Sequence, residues 1–357
     1  MRALPVLLGL AIVGLVVALA ISLRSGGTYD VVVYCGVDQD QSQGMVRRFA
    51  AEAGLRIDYH GEGEAFRSIG LPQRIEAEQR DPQGDVWWSN EIMHMVSLAG
   101  RGLIDPLPKG LAEKFPPAWR DPGGRFLQFG ARARILLVNT ELLPDPADHP
   151  RSVEDLLDPR WAERGLVTAM AVPVTGTTYT HAVAWLTRDT GGGLRFFEGA
   201  RDAAAAGRLK LVASNGQVMS LVADTSRNVA FGLTDTDDAW IAVHEKRAPV
   251  VIVYPDQGEG QPGTLVIPNT AGLIKGRPHP AAAEKVLAWL ASPELERELA
   301  FSRSAQIPVR PEVEVPADGH VRRPGVDFRA QEVDWARVGE QGDRWRDRLA
   351  SLLQRGD

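Results

Sequence analysis

The stretch YDVVVYCGVDQDQSQGMVRRFAAEAGLRIDYH, residues 29–60, decides the fold class. It begins with a β-branched run, Tyr29 to Tyr34, which is typical of a buried strand. Apolar residues at helical spacing follow, and Gly54 stands where that helix should end. Residues 55–60 then predict a second short strand. Strand, helix and strand in this order predict an α/β protein with helices on the faces of a parallel sheet.

The same alternation continues to about residue 310. Apolar and β-branched runs predict further strands at 85–88, 132–139, 167–172, 209–213, 229–234, 250–254 and 264–267. Helical spacing predicts helices at 71–80, 91–99, 176–185, 281–290 and 293–301, and a last one at 333–353. The order of these elements predicts two α/β units, with the second inserted into the first. Their ligand should bind between them, at the carboxyl ends of strands.

The composition of the chain limits the classes of function open to it. Its 357 residues suffice for two domains. The 40 basic and 46 acidic residues give a net charge of −6, which argues against a nucleic-acid partner. Cys35 is the only cysteine, which excludes an intrachain disulfide and a zinc site built from several cysteines. The common motifs for nucleotide phosphates, zinc proteases and serine hydrolases are missing from the sequence, so we do not expect an enzyme.

The N-terminal segment is a long apolar run. Residues 3–23 carry no charge, and Arg2 and Arg24 flank them. A run of roughly 20 apolar residues can span a bilayer. Ala18-Leu19-Ala20 also has the small-x-small pattern of a signal-peptide cleavage site. Residues 1–28 are therefore either a cleaved signal peptide or an uncleaved membrane anchor, and both place the rest of the chain in the periplasm or elsewhere outside the cytoplasm.

Candidate ligand-binding residues, most of them polar or acidic, gather where the predicted strands end. The first unit contributes Cys35, Asp38, Glu64, Trp88, Asn90 and Glu91. The second unit contributes Thr175, Gly176, Thr177, Thr178, Asn215, Asp235, Thr236 and Asp237. Each residue alone is explained as an ordinary polar loop position. Together they predict a ligand-binding cleft, because strand ends are where α/β sheets bind ligands.

Two segments of the second unit suggest complementary chemistry. Thr175 to Thr178 open a helix, where hydroxyl groups and free N–H groups favour an anion. The alternative is a threonine that only caps its own helix. Asp235, Asp237 and Asp238 form the densest acidic cluster and suit a hard cation or an ammonium group. The alternative is capping of the helix that follows.

Other candidate residues of the first unit are a tryptophan, the cysteine and two arginines. Trp88 is a candidate for packing on a ligand or holding a cation on its ring face. Cys35 follows a strand directly, where a small buried thiol competes with a reactive nucleophile as its interpretation. Arg132 and Arg134 share one face of a strand that leaves the first unit. They are equally suited to a salt bridge between the units and to ligand contact.

Several longer segments carry a family resemblance. They are DVWWSNE (85–91), RARILLVNT (132–140), GLTDTDDAW (232–240), YPDQ (254–257), GTLVIPNTAGLIKGRPHP (263–280) and AQIPVR (305–310). With these segments the chain resembles the extracellular solute-binding proteins of ABC importers, of the ferric-iron-binding type. The resemblance implies a two-lobed type II periplasmic-binding-protein fold, in which each lobe is a mixed or parallel sheet flanked by helices and two crossover strands form the hinge. It implies one lobe of 29–132 plus 263–310, a second of 133–262, and a tail of 311–357 with a terminal helix.

The resemblance also implies a mechanism and a set of ligands. Such proteins close on a small solute and deliver it to a membrane permease, and we expect a monomer. The iron ligands of the family are a His, a Glu and an adjacent Tyr pair. Here Asp38 stands at the His position, Asn90 with Glu91 beside it at the Glu position, and Thr236-Asp237 at the Tyr pair. Asp38, Glu91 and Asp237 are therefore the candidate metal ligands.

The cargo implied by the resemblance remains open between two classes. One is ferric iron carried with a synergistic anion, whose subsite would be Thr175 to Thr177 and Asn215. The other is a small anionic or zwitterionic solute such as an aminoalkylphosphonate, with its phosphonate at Thr177 and its amine at Asp237. Two other functions are weaker alternatives. They are an enzyme on the same fold that uses Cys35 with a cleft carboxylate, and a membrane-tethered ligand sensor.

Overall fold

The strands of the protein form one mixed sheet. A computed structural model describes residues 29–37, 39–61 and 70–354. Within these residues the strands are β1 Val31–Cys35, β2 Ile57–Gly61, β3 Val86–Ser89, β4 Ile104–Asp105, β5 Phe126–Asn139, β6 Val167–Ala171, β7 Leu209–Val212, β8 Val229–Asp235, β9 Val250–Val253 and β10 Val266–Ile274. They follow the order β2-β1-β3-β10-β5-β8-β6-β7, with β4 added on β10 and β9 on β5. The predicted α/β class is confirmed.

Helices alternate with these strands for most of the chain. They are α1 Gln39–Ala53, α2 Gly70–Ala77, α3 Ile92–Gly100, α4 Arg160–Glu163, α5 Gly176–Arg188, α6 Thr190–Ala205, α7 Asn215–Ala223, α8 Thr236–Trp240, α9 Pro280–Leu290, α10 Pro293–Phe301 and α11 Trp335–Gln354. Local signals set several of their ends. The Ser292 hydroxyl accepts a hydrogen bond from the Leu295 N–H, and Pro293 occupies the first turn of α10.

Two predicted strands are longer than expected, and they pair with each other. β5 begins at Phe126 instead of residue 132, and β10 continues to Ile274 instead of 267. Gln128 and Gly130 interrupt the apolar pattern at the start of β5. The pattern therefore did not predict this part of the strand. Gly130 has a φ of 39° and lies at an irregularity in the β5–β10 register, a position that favours glycine.

The strand β5 passes from one half of the sheet to the other. It pairs antiparallel with β10 as far as Ala133, and with β8 from Arg134 onward. On one side β1 is parallel to β2 and β3, and on the other β6 is parallel to β7 and β8. The chain returns between β9 and β10, where Thr264 bridges to Ala330 of the tail. Two connections therefore join the halves, and the exact residue limits of the lobes stay a prediction.

Each face of the sheet is covered by its own core. One core lies under α1, α7, α8, α9 and α10, and the other under α2, α3, α4, α5, α6 and α11. Alternation along β3 sends Trp87 into the second core and Trp88 into the first. Both cores extend through both halves of the molecule.

The C-terminal helix α11 packs against both halves at once. It contacts α3 on one side and α5 and α6 on the other. The Tyr179 hydroxyl of α5 donates to the Gly342 carbonyl. A Cβ added at Gly339 would clash with Val96 Cγ1 of α3. The described residues contain no helix with the length and apolarity to cross a bilayer, and the predicted anchor at 3–23 lies outside them.

The close approach of α11 can be tested with two glycines. We expect Gly339→Ala to destabilise the protein by roughly 1–3 kcal/mol, because the added methyl group pushes α11 away from α3. Gly44→Ala is the matched control, because no described atom lies within 4 Å of a Cβ added there in α1. Gly44→Ala should raise the free energy of unfolding by about 0.5–1 kcal/mol. Denaturant unfolding measures both, and equal effects would contradict the packing described for α11.

Candidate functional site

The predicted site residues of the first lobe differ in their accessibility. Asp38 and Glu64 lie outside the described residues. Cys35, at the end of β1, and Trp88, in β3, are both 0% exposed. The Trp88 ring lies 6.2 Å from Phe129 and 6.0 Å from Trp289, between centroids. Neither side chain offers a surface to a ligand in this conformation.

The centre of the second-lobe site is a buried ion pair. The register of β5 and β8 places Arg134 opposite Asp235. Arg134 Nη1 donates to Asp235 Oδ1 at 2.6 Å, and the Arg134 side chain is fully buried. The same guanidinium donates to Thr177 Oγ1 at 3.1 Å and to Thr178 Oγ1 at 3.0 Å. A buried charge needs this degree of compensation, since it has lost its hydration.

The residues predicted to bind an anion complete that network through hydrogen bonds to one another and to Asp235. The Thr177 hydroxyl donates to Asp235 Oδ2 at 2.6 Å. Asn215 Nδ2 donates to Asp235 Oδ2 at 2.9 Å and to Thr177 Oγ1 at 2.8 Å. The Thr178 hydroxyl donates to Asn215 Oδ1 at 3.0 Å. These four side chains therefore form one closed hydrogen-bonded unit around Arg134.

Thr175 and Gly176 have a different position at the start of α5. Thr175 is exposed, and its side chain makes no capping hydrogen bond to its own helix. Gly176 has a φ of 62°, a conformation that glycine adopts at little cost. The Thr175 hydroxyl makes none of the hydrogen bonds described above for the unit around Arg134. It can serve a ligand at the N-terminus of α5, where N–H groups and the helix dipole favour an anion.

Arg132 connects the two lobes across the cleft. Its Nη2 donates to the Asn90 carbonyl at 2.7 Å, after β3. Its Nη1 donates to Asp237 Oδ2 at 3.3 Å, in α8 of the second lobe. Its side chain is 8% exposed, so the guanidinium is almost enclosed. Of the two roles weighed for Arg132, the structure shows the salt bridge between the units.

Glu91 makes a second connection between the lobes. It is the N-cap of α3, accepts a hydrogen bond from the Met93 N–H, and also accepts one from the Thr180 hydroxyl of α5. Its Oε2 is buried and makes no hydrogen bond to any described residue. Burial raises the pKa of the Glu91 carboxyl, which favours its neutral form.

Three aspartates at the junction of β8 and α8 form the acidic cluster. One carboxylate oxygen each of Asp235, Asp237 and Asp238 lies within 4.8 Å of the other two, a spacing that could hold a metal ion. Asp238 Oδ2 accepts a hydrogen bond from the Thr234 hydroxyl at 2.8 Å. Loss of hydration, and then the charges of Asp237 and Asp235, raise the pKa of Asp238 well above its usual value. Burial and the neighbouring carboxylates therefore favour the protonated form of Asp238.

Comparison with known proteins identifies the family. A family model described as "Bacterial extracellular solute-binding protein" matches residues 32–300. Iron uptake protein A2 of Synechocystis sp. is 30% identical over 258 residues, which cover 69% of this chain and 70% of that protein. The chain belongs to the bacterial extracellular solute-binding proteins.

Further relatives and a solved structure extend the match. The probable ABC transporter periplasmic-binding protein y4fP of Sinorhizobium fredii is 23% identical over 298 residues, 83% of this chain and 78% of that protein. Iron-bound HitA from Pseudomonas aeruginosa has a TM-score of 0.74 at 21% identity, and the match covers 91% of this solute-binding protein and 98% of HitA. The two-lobed type II periplasmic-binding-protein fold is thereby confirmed. The extracytoplasmic location predicted for the chain agrees with the family.

Sequence reasoning missed two contacts of this solute-binding protein's cleft. Thr180 bonds Glu91 across the lobes, and His320 Nε2 lies 3.0 Å from the Thr236 carbonyl at the start of α8. Thr180 follows Thr177 by one helical turn, which was an available signal. His320 lies in the tail, far along the chain, and no local pattern predicts its contact with α8.

Because the Arg134–Asp235 ion pair is buried, we expect the loss of Arg134 to destabilise the protein strongly. Arg134→Ala leaves Asp235 buried without a cation, which should cost about 3–5 kcal/mol of unfolding free energy. Arg227→Ala is the control, since its pair with Asp224 is exposed and such pairs contribute little. Urea unfolding of both variants measures the difference. If Arg134→Ala lowers the free energy of unfolding no more than Arg227→Ala does, the stabilising role of the Arg134–Asp235 pair is contradicted.

Proposed function

We propose that this chain is the extracytoplasmic substrate-binding component of an ABC importer, and that it closes its two lobes on ferric iron accompanied by an anion. The observation that carries the proposal is the acidic cluster at the junction of β8 and α8, whose Asp237 is joined through Arg132 to the Asn90 carbonyl of the first lobe. The relatives support it, since one is named an iron uptake protein and another a probable ABC transporter periplasmic-binding protein.

Carboxylates from both lobes would hold the iron. A trivalent iron ion is a hard cation and binds well to oxygen ligands, as calcium and magnesium do. Asp237 on the second lobe and Glu91 on the first are the described candidates. Asp38, which lies outside the described residues, would add a third. Because the ligands lie on both lobes, cargo binding would favour closure over opening.

The accompanying anion would bind at the start of α5. The exposed Thr175 and the turn at Gly176 provide a hydroxyl and backbone N–H groups there. Thr177, Thr178 and Asn215 would act indirectly, because their hydrogen bonds hold Asp235 and Arg134 in place. Thr236 would contribute through its position at the first turn of α8, where its hydroxyl accepts a bond from the Ala133 N–H.

A second cargo class is favoured by the arginine in the cleft. A small anionic or zwitterionic solute could place its acidic group on Arg132 and an amine on Asp237. The pairing of Arg132 with Asp237 supports this candidate, because each of these side chains would then exchange its partner for a solute group of the same charge.

The remaining expectations follow from this role. The partner would be an ABC permease in the membrane, and the protein would act as a monomer. Residues 1–28 would be its signal peptide or its anchor, and an uncleaved anchor would also suit a tethered sensor. We propose no enzymatic activity, because the buried Cys35 thiol has no access to a substrate and the relatives are named for binding and transport.

The direct test is analysis of cargo in the exported protein, purified without chelators. We expect elemental analysis and native mass spectrometry to find about one iron per chain, together with the mass of a small anion. Asp237→Ala should weaken iron binding at least roughly tenfold, since even groups behind a ligand have effects of about 10–100-fold. Asp202→Ala is the matched control, because Asp202 is an exposed aspartate on α6.

Two outcomes would overturn the iron proposal. One is a bound organic anion or zwitterion without metal, which would establish the second cargo class. The other is unchanged iron affinity in Asp237→Ala, which would place the iron elsewhere in the molecule.

A further inference from the structure

We propose that the protein has a second ligand site, outside the iron cleft, in a polar cavity beside α11, and that this site takes a small oxyanion. The cavity has a volume of about 230 Å³ and lies between α2 and α3 of the first lobe, α5 of the second lobe and α11. A water molecule in the liquid takes up roughly 30 Å³, so the cavity has room for one small polyatomic anion. None of the candidate residues of the cleft is among the described residues that line it.

Helical spacing brings polar side chains to the cavity from two helices of the first lobe. His94 and Ser97 lie three residues apart on α3, and Arg101 follows four residues later, directly after the helix ends. Residues at this spacing share one face of a helix. Gln73 and Glu76 of α2 are also three residues apart, and both line the cavity. The walls therefore carry hydroxyl, amide and guanidinium groups that can replace the hydration shell of an ion.

The helix α11 contributes two glycines and an arginine at the same kind of spacing. Gly339, Gly342 and Arg346 all line the cavity. A Cβ added at Gly342 would meet Met93 Cε of α3 at 3.0 Å. The glycines thus let the backbone of α11 pass close to α3. One turn beyond Gly342, Arg346 adds a long cationic side chain to the cavity wall.

The described side chains of the cavity carry an excess of positive charge. Two arginines stand there against a single carboxylate, that of Glu76, which pairs with Arg101. The Arg346 guanidinium lies over the Tyr179 ring, with Cζ 5.2 Å from the ring centroid. Its Nε is buried and has no hydrogen-bond partner in the described part of the chain. Contact with a ring leaves the guanidinium its charge and its donors, and an oxygen acceptor would satisfy an N–H that is costly to leave unpaired.

This combination of groups favours an oxyanion over the other classes of ligand. A cation would meet two guanidinium groups at close range, and an apolar molecule would cover polar groups without bonding to them. A guanidinium donates two parallel hydrogen bonds to the oxygens of a carboxylate or a phosphate. Phosphate and small dicarboxylates share this chemistry and are the two candidate sources of the anion.

The position of the cavity gives its occupant a structural effect. An anion bound there would touch helices of both lobes and α11 at once. It would stabilise the packing of α11 on the lobes, because a ligand that binds only the folded state shifts the unfolding equilibrium towards that state.

The test is calorimetric titration of the metal-free, full exported chain with inorganic phosphate and, separately, with succinate, in a Tris chloride buffer. We expect the wild-type protein to bind at least one of them. Arg346→Gln and Arg101→Gln should each weaken binding at least about tenfold, the effect of one hydrogen bond to a charged group. Glu76→Gln should strengthen binding, because it removes the carboxylate that competes for Arg101. Opposite effects from the two members of one ion pair are not expected if the pair serves only stability.

The matched control is Arg348→Gln. Arg348 is an exposed arginine of α11 that lies over the Trp345 ring and is not among the lining residues. Its loss removes the same charge from the same helix, and the affinity should equal that of the wild type. Thermal unfolding verifies that each variant folds. Arg101→Gln keeps the test decisive if Arg346→Gln does not fold, since its pair with Glu76 is partly exposed and such pairs contribute little to stability.

Two results would overturn the second site. One is failure of the wild-type protein to bind either phosphate or succinate. The other is binding that Thr175→Ala abolishes and that Arg346→Gln and Arg101→Gln leave unchanged, which would place the anion at the start of α5. Binding of only one probe would support the site and identify the source of its anion. Because the protein is free of metal throughout, these results do not depend on whether its cargo is iron.

Discussion

The rest of the structure depends on one strand that carries two guanidinium groups across the junction of the lobes. The Arg134 side chain is fully buried. A buried guanidinium is tolerated only when polar groups surround it. Asp235 supplies the countercharge, and the start of α5 and the start of α7 supply the hydrogen bonds. The geometry of the second-lobe site is therefore set by the need to compensate a single arginine.

The same strand gives the cleft its electrostatic character. Two positions before Arg134, Arg132 faces the space between the lobes and pairs with Asp237. The acidic cluster is thereby neutralised in part by residues of the protein itself. A cargo that binds at Asp237 would have to replace that pairing. The helix α11 also joins the two lobes, since it packs on helices of both.

Sequence reasoning predicted which segments come together better than it predicted how their side chains are arranged. Strand ends in an α/β sheet meet at one edge, so the order of strands and helices along the chain was enough to place Thr177 near Asp235. Their mutual hydrogen bonds could not be predicted, because bond direction depends on the neighbouring strand. Cys35 and Trp88 were placed at the same edge, yet both side chains point into the core, since the orientation of a strand's last residues follows its pleat. The start of β5 escaped prediction because Gln128 breaks its apolar pattern.

The central claim is that iron binds between Asp237 on one lobe and the Asn90–Glu91 segment on the other. Crystals grown with ferric citrate, measured on both sides of the iron absorption edge, test it most directly. The account predicts a single strong anomalous peak within coordination distance of an Asp237 carboxylate oxygen. A peak confined to the protein surface, or a cleft that holds an organic solute and no anomalous signal, would contradict it.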